Sequence, residues 1–438
     1  MKKYPLALIG LIALAAIAVF IYLQLNTSEE ADTAPDRSFV ELLVVGDPFA
    51  RSMQNKIDPI RDELGMPLRL SVRRYNRTHE TILSNHQDHD SYFHLVSFDI
   101  LWLPELAEKG ILKPLSLEEL REFGFDPEDH HQVTLDLNTH QGKLYGLPIQ
   151  PHPELLWYRR DLLEKQDLTP PRDTMELLDL AARFHKPDEG FYGIGWNGLR
   201  GQALGQTITH LYAAFGSPVV DSEGEVFIAS EAGKALSDFL LELADNSPPD
   251  ILSMAWDQRI ERFTRGQTAF TYGWMARNQA AERHALSEVQ GKVGYLLPPA
   301  TPGHSPAVPM GQWSLGIPAN ISAEERERAL QTLVHLLSDE VDEILFADGF
   351  HGHHRSRGTV IEKKKETDPG YLIVHELLET GNIHLGARPM IPQWAELADI
   401  LGVAFHDMLR GDTTPEEALQ LAQEKAKALL KDGKESNP

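Results

Sequence analysis

The residues with most scope for chemistry form the run His-Gly-His-His-Arg, with His351, His353, His354 and Arg355. Imidazoles at this spacing can ligate zinc or copper, and with Arg355 they could hold an anion. His152, brought near by the path of the chain, is a further ligand candidate. The same run also reads as a polar hinge loop in which Gly352 supplies flexibility. That second reading is adopted because no cluster of carboxylates accompanies the imidazoles, so no metal and no cofactor is expected. His79, His86 and His89, and likewise His130 and His131, read as solvated positions on and around helices. Gly193–Gly198 matches G-x-G-x-x-G, and Asp221 and Glu223 follow at about the distance of a ribose-binding acid. The strand before it is too short, however, and Arg200-Gly201 interrupts the helix start such a site needs. No G-x-S-x-G, H-E-x-x-H or Walker lysine motif is present. Val374-His375-Glu376 lacks the second histidine. Carboxylates are so abundant that no glycosidase pair stands out. A binding function, not an enzymatic one, is expected.

Composition bounds the rest. The 438 residues can bury a large core in about two to three domains. The 65 acidic against 41 basic residues leave a net charge of −24, which argues against binding the phosphates of nucleic acid. Without cysteine there can be no disulfide, thiol catalysis, cysteine-ligated metal or lipid-modified cysteine. Lys2-Lys3 and the apolar run Pro5–Leu23 form an export signal near the ~20 residues that span a bilayer. Residues 1–25 are read as an uncleaved anchor with its lysines cytoplasmic; cleavage after Ala18 is the alternative. Residues 26–38 read as a polar linker.

The elements that must position any site begin with a βαβ start. Phe39–Gly46 reads as a buried strand, Met53–Leu64 as a helix and Leu68–Val72 as a second strand. Phe98–Leu103 (FDILWL) reads as the next strand. Gly142–Leu163 (GKLYGLPIQPHPELLWYRRDLL) then reads as a turn and two short extended runs. Pro148, Pro151 and Pro153 keep that backbone extended and delete ladder donors, which suits a crossing between two lobes. Strand alternation puts Gln150, His152 and Glu154 on one face, so that all or none would line a cleft. Trp196 and Asn197 end a short strand, Phe191–Trp196, and helices fill most of the remainder.

Several of these blocks, in this order, resemble one family. GKLYGLP…LLWYRRDLLEK, FDILWLPELAEKGILKPL, GQTAFTYGWM, QWSLGIP and GDTTPEEALQLAQEKAKALL are similar to blocks of the sugar-binding extracellular solute-binding proteins of ABC transporters. The resemblance runs from about Phe39 to Leu430. It implies an α/β fold of the type II periplasmic-binding-protein class, with two lobes joined by three crossings near Pro148–Pro153, Ser305–Pro309 and Phe350–Ser356. Lobe I would hold residues 39–148 and 308–350; lobe II would hold 149–307 and 351–438, including the C-terminal helices. It implies a monomer outside the cytoplasmic membrane that binds a small solute, most readily a carbohydrate, by hinge closure and delivers it to ABC permease subunits. A membrane-anchored sensor module with the same fold is the alternative.

The resemblance also nominates binding residues. Trp274 falls where the family stacks an aromatic on a sugar ring, and Gly273 beside it lets backbone approach a ligand. Trp102, Leu103 and Glu105 fall in a loop that lines the family's cleft, with Asp99 fixing that loop. Gln312 and Trp313 begin another cleft-facing block. Trp394 matches a C-terminal position where relatives carry an aromatic contact. Gln150, His152, Trp196 and Arg355 complete the set expected around the ligand.

Overall fold

The computed structural model describes residues 39–306, 308–381 and 388–435. The anchor and linker read at residues 1–38 lie outside the described residues. The chain divides after Phe39 into two units, and the second, from Val40 onward, holds the strands and helices that follow. Among the described residues no helix is long and apolar enough to cross a membrane.

β1 (Val40–Val45) is buried at every position and runs parallel to β2 (Leu68–Arg73) and β3 (Leu95–Asp99). Unbroken apolar runs of this kind suit strands covered on both faces. The segment read as one helix over Met53–Leu64 is two, Pro48–Asn55 and Ile57–Leu64. The break follows from Pro59, whose ring would meet the carbonyl of Asn55 in a continuous helix but is tolerated in a first turn. FDILWL is likewise divided. β3 stops at Asp99, whose carboxylate accepts from the backbone N–H of Leu101 at 3.2 Å and caps a tight turn over Ile100–Trp102. Trp102 and Leu103 therefore belong to a helical segment and not to a strand.

After the small hairpin of β4 (Thr139–His140) and β5 (Lys143–Leu144) comes β6, a single 13-residue strand from Leu147 to Arg159. Its first half pairs antiparallel with β10 (Met310–Gly316), its second half with β8 (Thr268–Trp274) and β9 (Val293–Leu296). β7 (Tyr192–Gly195) runs parallel to β8. The order β2-β1-β3-β10-β6-β8-β7 is thus two α/β halves sharing one long strand. The prolines of β6 lie opposite Met310, Gln312 and Ser314 in the register, and the pairing slips between Trp313 and Ser314. Each half has its own core. One gathers Val40, Leu42, Phe49, Leu147, Leu315 and Leu333; the other gathers Leu156, Ile194, Phe270, Leu240, Leu401 and Phe405.

The second core depends on one close helix crossing, Gln202–Ala214 over Trp394–Leu409. A Cβ on Gly205 would lie 1.8 Å from the carbonyl oxygen of Ala398, and one on Gly402 1.8 Å from that of Gly201. Gly205→Ala must push the helices apart. We expect it to lower unfolding free energy by about 3 kcal/mol, the upper part of the overpacking range. Urea unfolding of the variant checks this; an unchanged midpoint would mean that the helices do not meet backbone to backbone.

Candidate functional site

The carboxyl ends of β1, β2, β3 and β8 converge on one cleft of about 600 Å³. Open α/β sheets place ligands at this end of their strands, where loops and helix starts face a crevice. Asp47 follows β1, Arg74 and Tyr75 follow β2, Asp99 ends β3, and Trp274 ends β8. Trp313 enters from β10, His152 from the middle of β6, Trp256 and Arg259 from the Trp256–Thr264 helix, and Arg388 from the chain before Trp394.

Aromatic rings form much of the wall. His152 lies 5.4 Å from Trp274 and 5.9 Å from Trp313, ring centre to ring centre. Gly311 makes room for this packing, since a Cβ there would sit 2.6 Å from the imidazole and 3.0 Å from the Trp274 indole. Tyr75 bridges the two halves, 5.8 Å from Trp313 on its own side and 5.8 Å from Trp256 on the other. The Arg388 guanidinium lies over Trp274 at 4.9 Å and donates to the Met310 carbonyl at 2.9 Å and to Asp99 at 3.3 Å. Asp99 also accepts from the Tyr75 hydroxyl at 3.0 Å, so the residue that caps its own loop also ties two cleft side chains together.

Behind Trp274 stands a buried ionic group. Glu154, opposite Trp274 in the β6–β8 register, accepts from Arg259 at 2.5 Å and from His210 Nδ1 at 2.6 Å. Burial alone would raise the Glu154 pKa, but Arg259 and His210 more than offset it and hold the carboxyl down to about 2. Burial pushes His152 the other way, to about 4, so its imidazole is neutral at pH 7. Nδ1 of His152 therefore donates to the Gln150 carbonyl at 2.7 Å.

Of the residues nominated from sequence, Trp274, His152 and Trp313 line this cleft. Trp102 does not; it is buried behind Tyr75 at 4.7 Å and Trp313 at 6.2 Å, as a second layer under the aromatic wall. Leu103 is fully buried in the core around β3. Glu105 bonds His79 at 2.8 Å and Lys109 at 2.6 Å, away from the cleft, so His79 is part of this pair and is not simply solvated. Trp196 is wholly buried with its N–H donated to Ser247, and Trp394 packs against Leu101 and Ala398. Gln312 is buried and donates to the Thr134 carbonyl. Gln150 and Glu154 do not share the His152 surroundings. Gln150 faces a small cavity with His351 and Gly352, and Glu154 another with His210 and Tyr272. The handover of β6 from one set of strand partners to the other defeats the all-or-none expectation.

The histidine-rich run, read from sequence as a polar hinge loop, is buried. His351 bonds Asp368 at 3.1 Å, His354 stacks on Tyr371 at 4.3 Å, and His353 lies 3.4 Å from Asp342. Arg355 pairs with Asp339 at 2.6 Å and Asp129 at 3.0 Å, tying this segment to the helical region before β4. His130 and His131 are buried beside the same group. Among the described residues no group of three or more His, Asp or Glu is spaced to hold a metal ion. Tyr75, Trp256, Arg259 and Arg388 were missed from sequence. Tyr75 could have been found as an aromatic just past the carboxyl end of β2, but nothing local marks Trp256, Arg259 or Arg388.

The model of the family described as bacterial extracellular solute-binding proteins matches residues 94–343, more than half of the chain. The chain belongs to this family. It is 24% identical to the mannitol-binding protein of Pseudomonas aeruginosa over 310 residues, 66% of this chain and 70% of that one. Among solved structures it resembles an ABC transporter solute-binding protein of Agrobacterium radiobacter in complex with ribitol. That match has a TM-score of 0.80 and 26% identity, and covers 90% of this chain and 99% of the other. The fold is also that of a maltose-bound binding protein of T. maritima, with a TM-score of 0.78 and 24% identity over 89% and 99% of the two chains. As a member of the family, this chain is a substrate-binding protein of the extracytoplasmic type with an α/β two-lobed fold.

Proposed function

We propose that this chain captures a carbohydrate or polyol outside the cytoplasmic membrane by closing two lobes on it, and hands it to an ABC importer. The observation that carries the reading is the cleft at the shared strand β6, where Trp274 and Trp313 flank His152 and polar groups from both halves surround them. Indoles pack against the apolar C–H faces of a sugar, while Asp99, Arg388 and Gln206 offer hydrogen bonds to hydroxyls. The ligands named for the mannitol- and ribitol-binding relatives agree with this chemistry. Ligand contacts to both lobes would favour the closed form over the open one. No covalent step is needed.

Within this reading the fold is of the type II class. Its crossings lie near residues 148–153, 305–309 and 350–356, with lobe I at 39–148 and 308–350 and lobe II at 149–307 and 351–438. Continuity of β6 through residue 153 supports the first crossing. Residues 1–25 would anchor a monomer to the membrane through a linker at 26–38, leaving the lobes free to meet permease subunits.

The test is calorimetry of the wild type and Trp274→Ala against ribitol, D-mannitol and maltose. Removing the indole forfeits about 2–3 kcal/mol of apolar contact, at ~25 cal/mol/Å². Affinity for the true ligand should fall roughly a hundredfold. Trp274 is also buried among His152, His210 and Arg388, so the melting temperature of the free protein should fall as well, and the affinity is compared at a temperature where both proteins are folded. Unchanged affinity with a collapsed melting temperature would make Trp274 purely structural.

A further inference from the structure

The charge of the cleft is opposite to that of the chain. On a molecule of net charge −24, five arginines line this one cavity: Arg74, Arg77, Arg259, Arg277 and Arg388. Three carboxylates line it too, and each is engaged. Asp99 holds Tyr75 and Arg388, Asp257 holds Arg277 at 2.9 Å, and Asp47 caps the Pro48–Asn55 helix through one oxygen. Burial raises the Asp47 pKa to about 6, with Arg277 and the helix N–H groups pulling the other way, so Asp47 is still mostly ionised at pH 7 and, with one oxygen unpartnered among the described residues, offsets Arg277; the five arginines still outnumber the three carboxylates.

Two features point to an unmet negative charge. The Tyr75–Gln87 helix starts in the cleft, with Tyr75, Asn76 and Arg77 on the wall. Its N-cap, Arg74, makes no side-chain cap, and its first turn holds no acidic residue. The positive end of a 13-residue helix is left open toward the cavity. The Arg74 guanidinium has no bonding partner among the described residues, and Arg77 pairs only with exposed Glu80. Independently, Arg259 lines the opposite wall, is 0% exposed, and spends one nitrogen on Glu154. Its Nε and Nη1 are buried with no partner among the described residues. Buried donors left without acceptors are costly, and a charged acceptor satisfies guanidinium donors best.

We infer that the solute is an anionic carbohydrate, a sugar or polyol bearing a carboxylate or phosphate, held between the open start of the Tyr75–Gln87 helix and Arg259. This rests on the carbohydrate reading and narrows it. The positive cleft in a negative molecule would also speed capture of such a solute at low ionic strength.

Calorimetry at low and high salt tests it with matched pairs: ribonate and ribitol, mannonate and mannitol, galacturonate and galactose, with mannitol 1-phosphate as the phosphate form. In at least one pair the acid should bind about tenfold tighter than its neutral partner, the gain expected of one charge-assisted hydrogen bond. The advantage should shrink as salt rises. Arg74→Ala should weaken the acid about tenfold and the neutral partner less, and because Arg74 is exposed it should leave the free protein folded. Whether mannonate or mannitol 1-phosphate binds tighter then decides the form of the anion, and either supports the inference. Neutral members binding as well as the acids would overturn it while leaving the carbohydrate reading intact. An acid preference insensitive to salt and to Arg74→Ala would overturn its placement on this wall. No binding by any member of the pairs would overturn the inference, and no binding of maltose either would overturn the carbohydrate reading with it.

Discussion

Asp342→Ala is expected to destabilise the protein by about 3–5 kcal/mol, the cost of leaving a buried charge without its partner. The partner is Lys364, fully buried, with Nζ 2.6 Å and 2.8 Å from the two carboxylate oxygens and 3.1 Å from the His353 carbonyl. The pair joins the Asp339–Ala347 helix to the Ile361–Thr367 helix across the histidine-rich segment between them. Its two halves speak differently about its worth. Burial would raise the Asp342 pKa, yet Lys364 and His353 hold it down to about 2, as in a stabilising pair. The Lys364 pKa is lowered, because burial outweighs the attraction of Asp342, as in a costly one. The geometry reconciles them: the intact pair contributes little net, and breaking it is expensive. Asp342→Ala with Lys364→Met should therefore recover most of the loss. Urea unfolding of both variants decides it. A single variant within about 1 kcal/mol of wild type would mean that Lys364 reaches water.

Much of the fold was legible because it depends on local signals. β1 and β2 could be read from unbroken or alternating apolar runs, and the extended backbone of β6 from its prolines, although the two short runs expected there are one 13-residue strand with ladder partners along its whole length. The breaks were harder where one side chain decides them. Asp99 turns FDILWL from strand into a capped turn, and Pro59 splits a helix whose apolar spacing is continuous. The site was legible only where a block of sequence surrounds the functional residue. Trp274 ends β8 and Trp313 lies within β10, both inside such blocks, whereas Arg388 reaches the cleft only because Asp99, 289 positions away, is there to receive it. Trp196 and Trp394 have the composition of ligand contacts and the surroundings of core. Spacing cannot separate those cases, because both place a large aromatic at the end of an element and only the packing against other elements differs.

Buried histidines, of which His130 and His131 were read from sequence as solvated, carry the second large effect, a steep loss of stability in mild acid. Burial lowers the His130 pKa to about 3 with Arg355 adding to it, and lowers His131 to about 4 with His375 adding. His152 is held at about 4, again by burial first. His351, His353, His354 and His375 are shifted downward for the same leading reason. Above pH 6.5 neither the folded nor the unfolded chain binds these protons, and stability is independent of them. Between 6.5 and about 4 the unfolded chain binds protons that the folded chain refuses, so stability falls as pH falls, by about 1.36 kcal/mol per unit for each such histidine. Asp47, raised to about 6 by burial, works in the opposite direction, since the folded state takes up its proton first. His130, His131 and His152 less Asp47 leave about two protons. This gives roughly 3 kcal/mol per pH unit and about 7 kcal/mol by pH 4, comparable with the whole stability of a typical domain. The free protein should therefore lose most of its stability between pH 6.5 and 4, and Glu154 and Asp342, held at about 2 in the folded chain, add to the loss only as pH falls below their ordinary values of 4.5 and 3.8. Urea midpoints measured from pH 7.5 to 4 give the slope directly. His131→Phe should flatten it by about one proton, and a midpoint constant down to pH 4 would show that the imidazoles accept protons without leaving the fold.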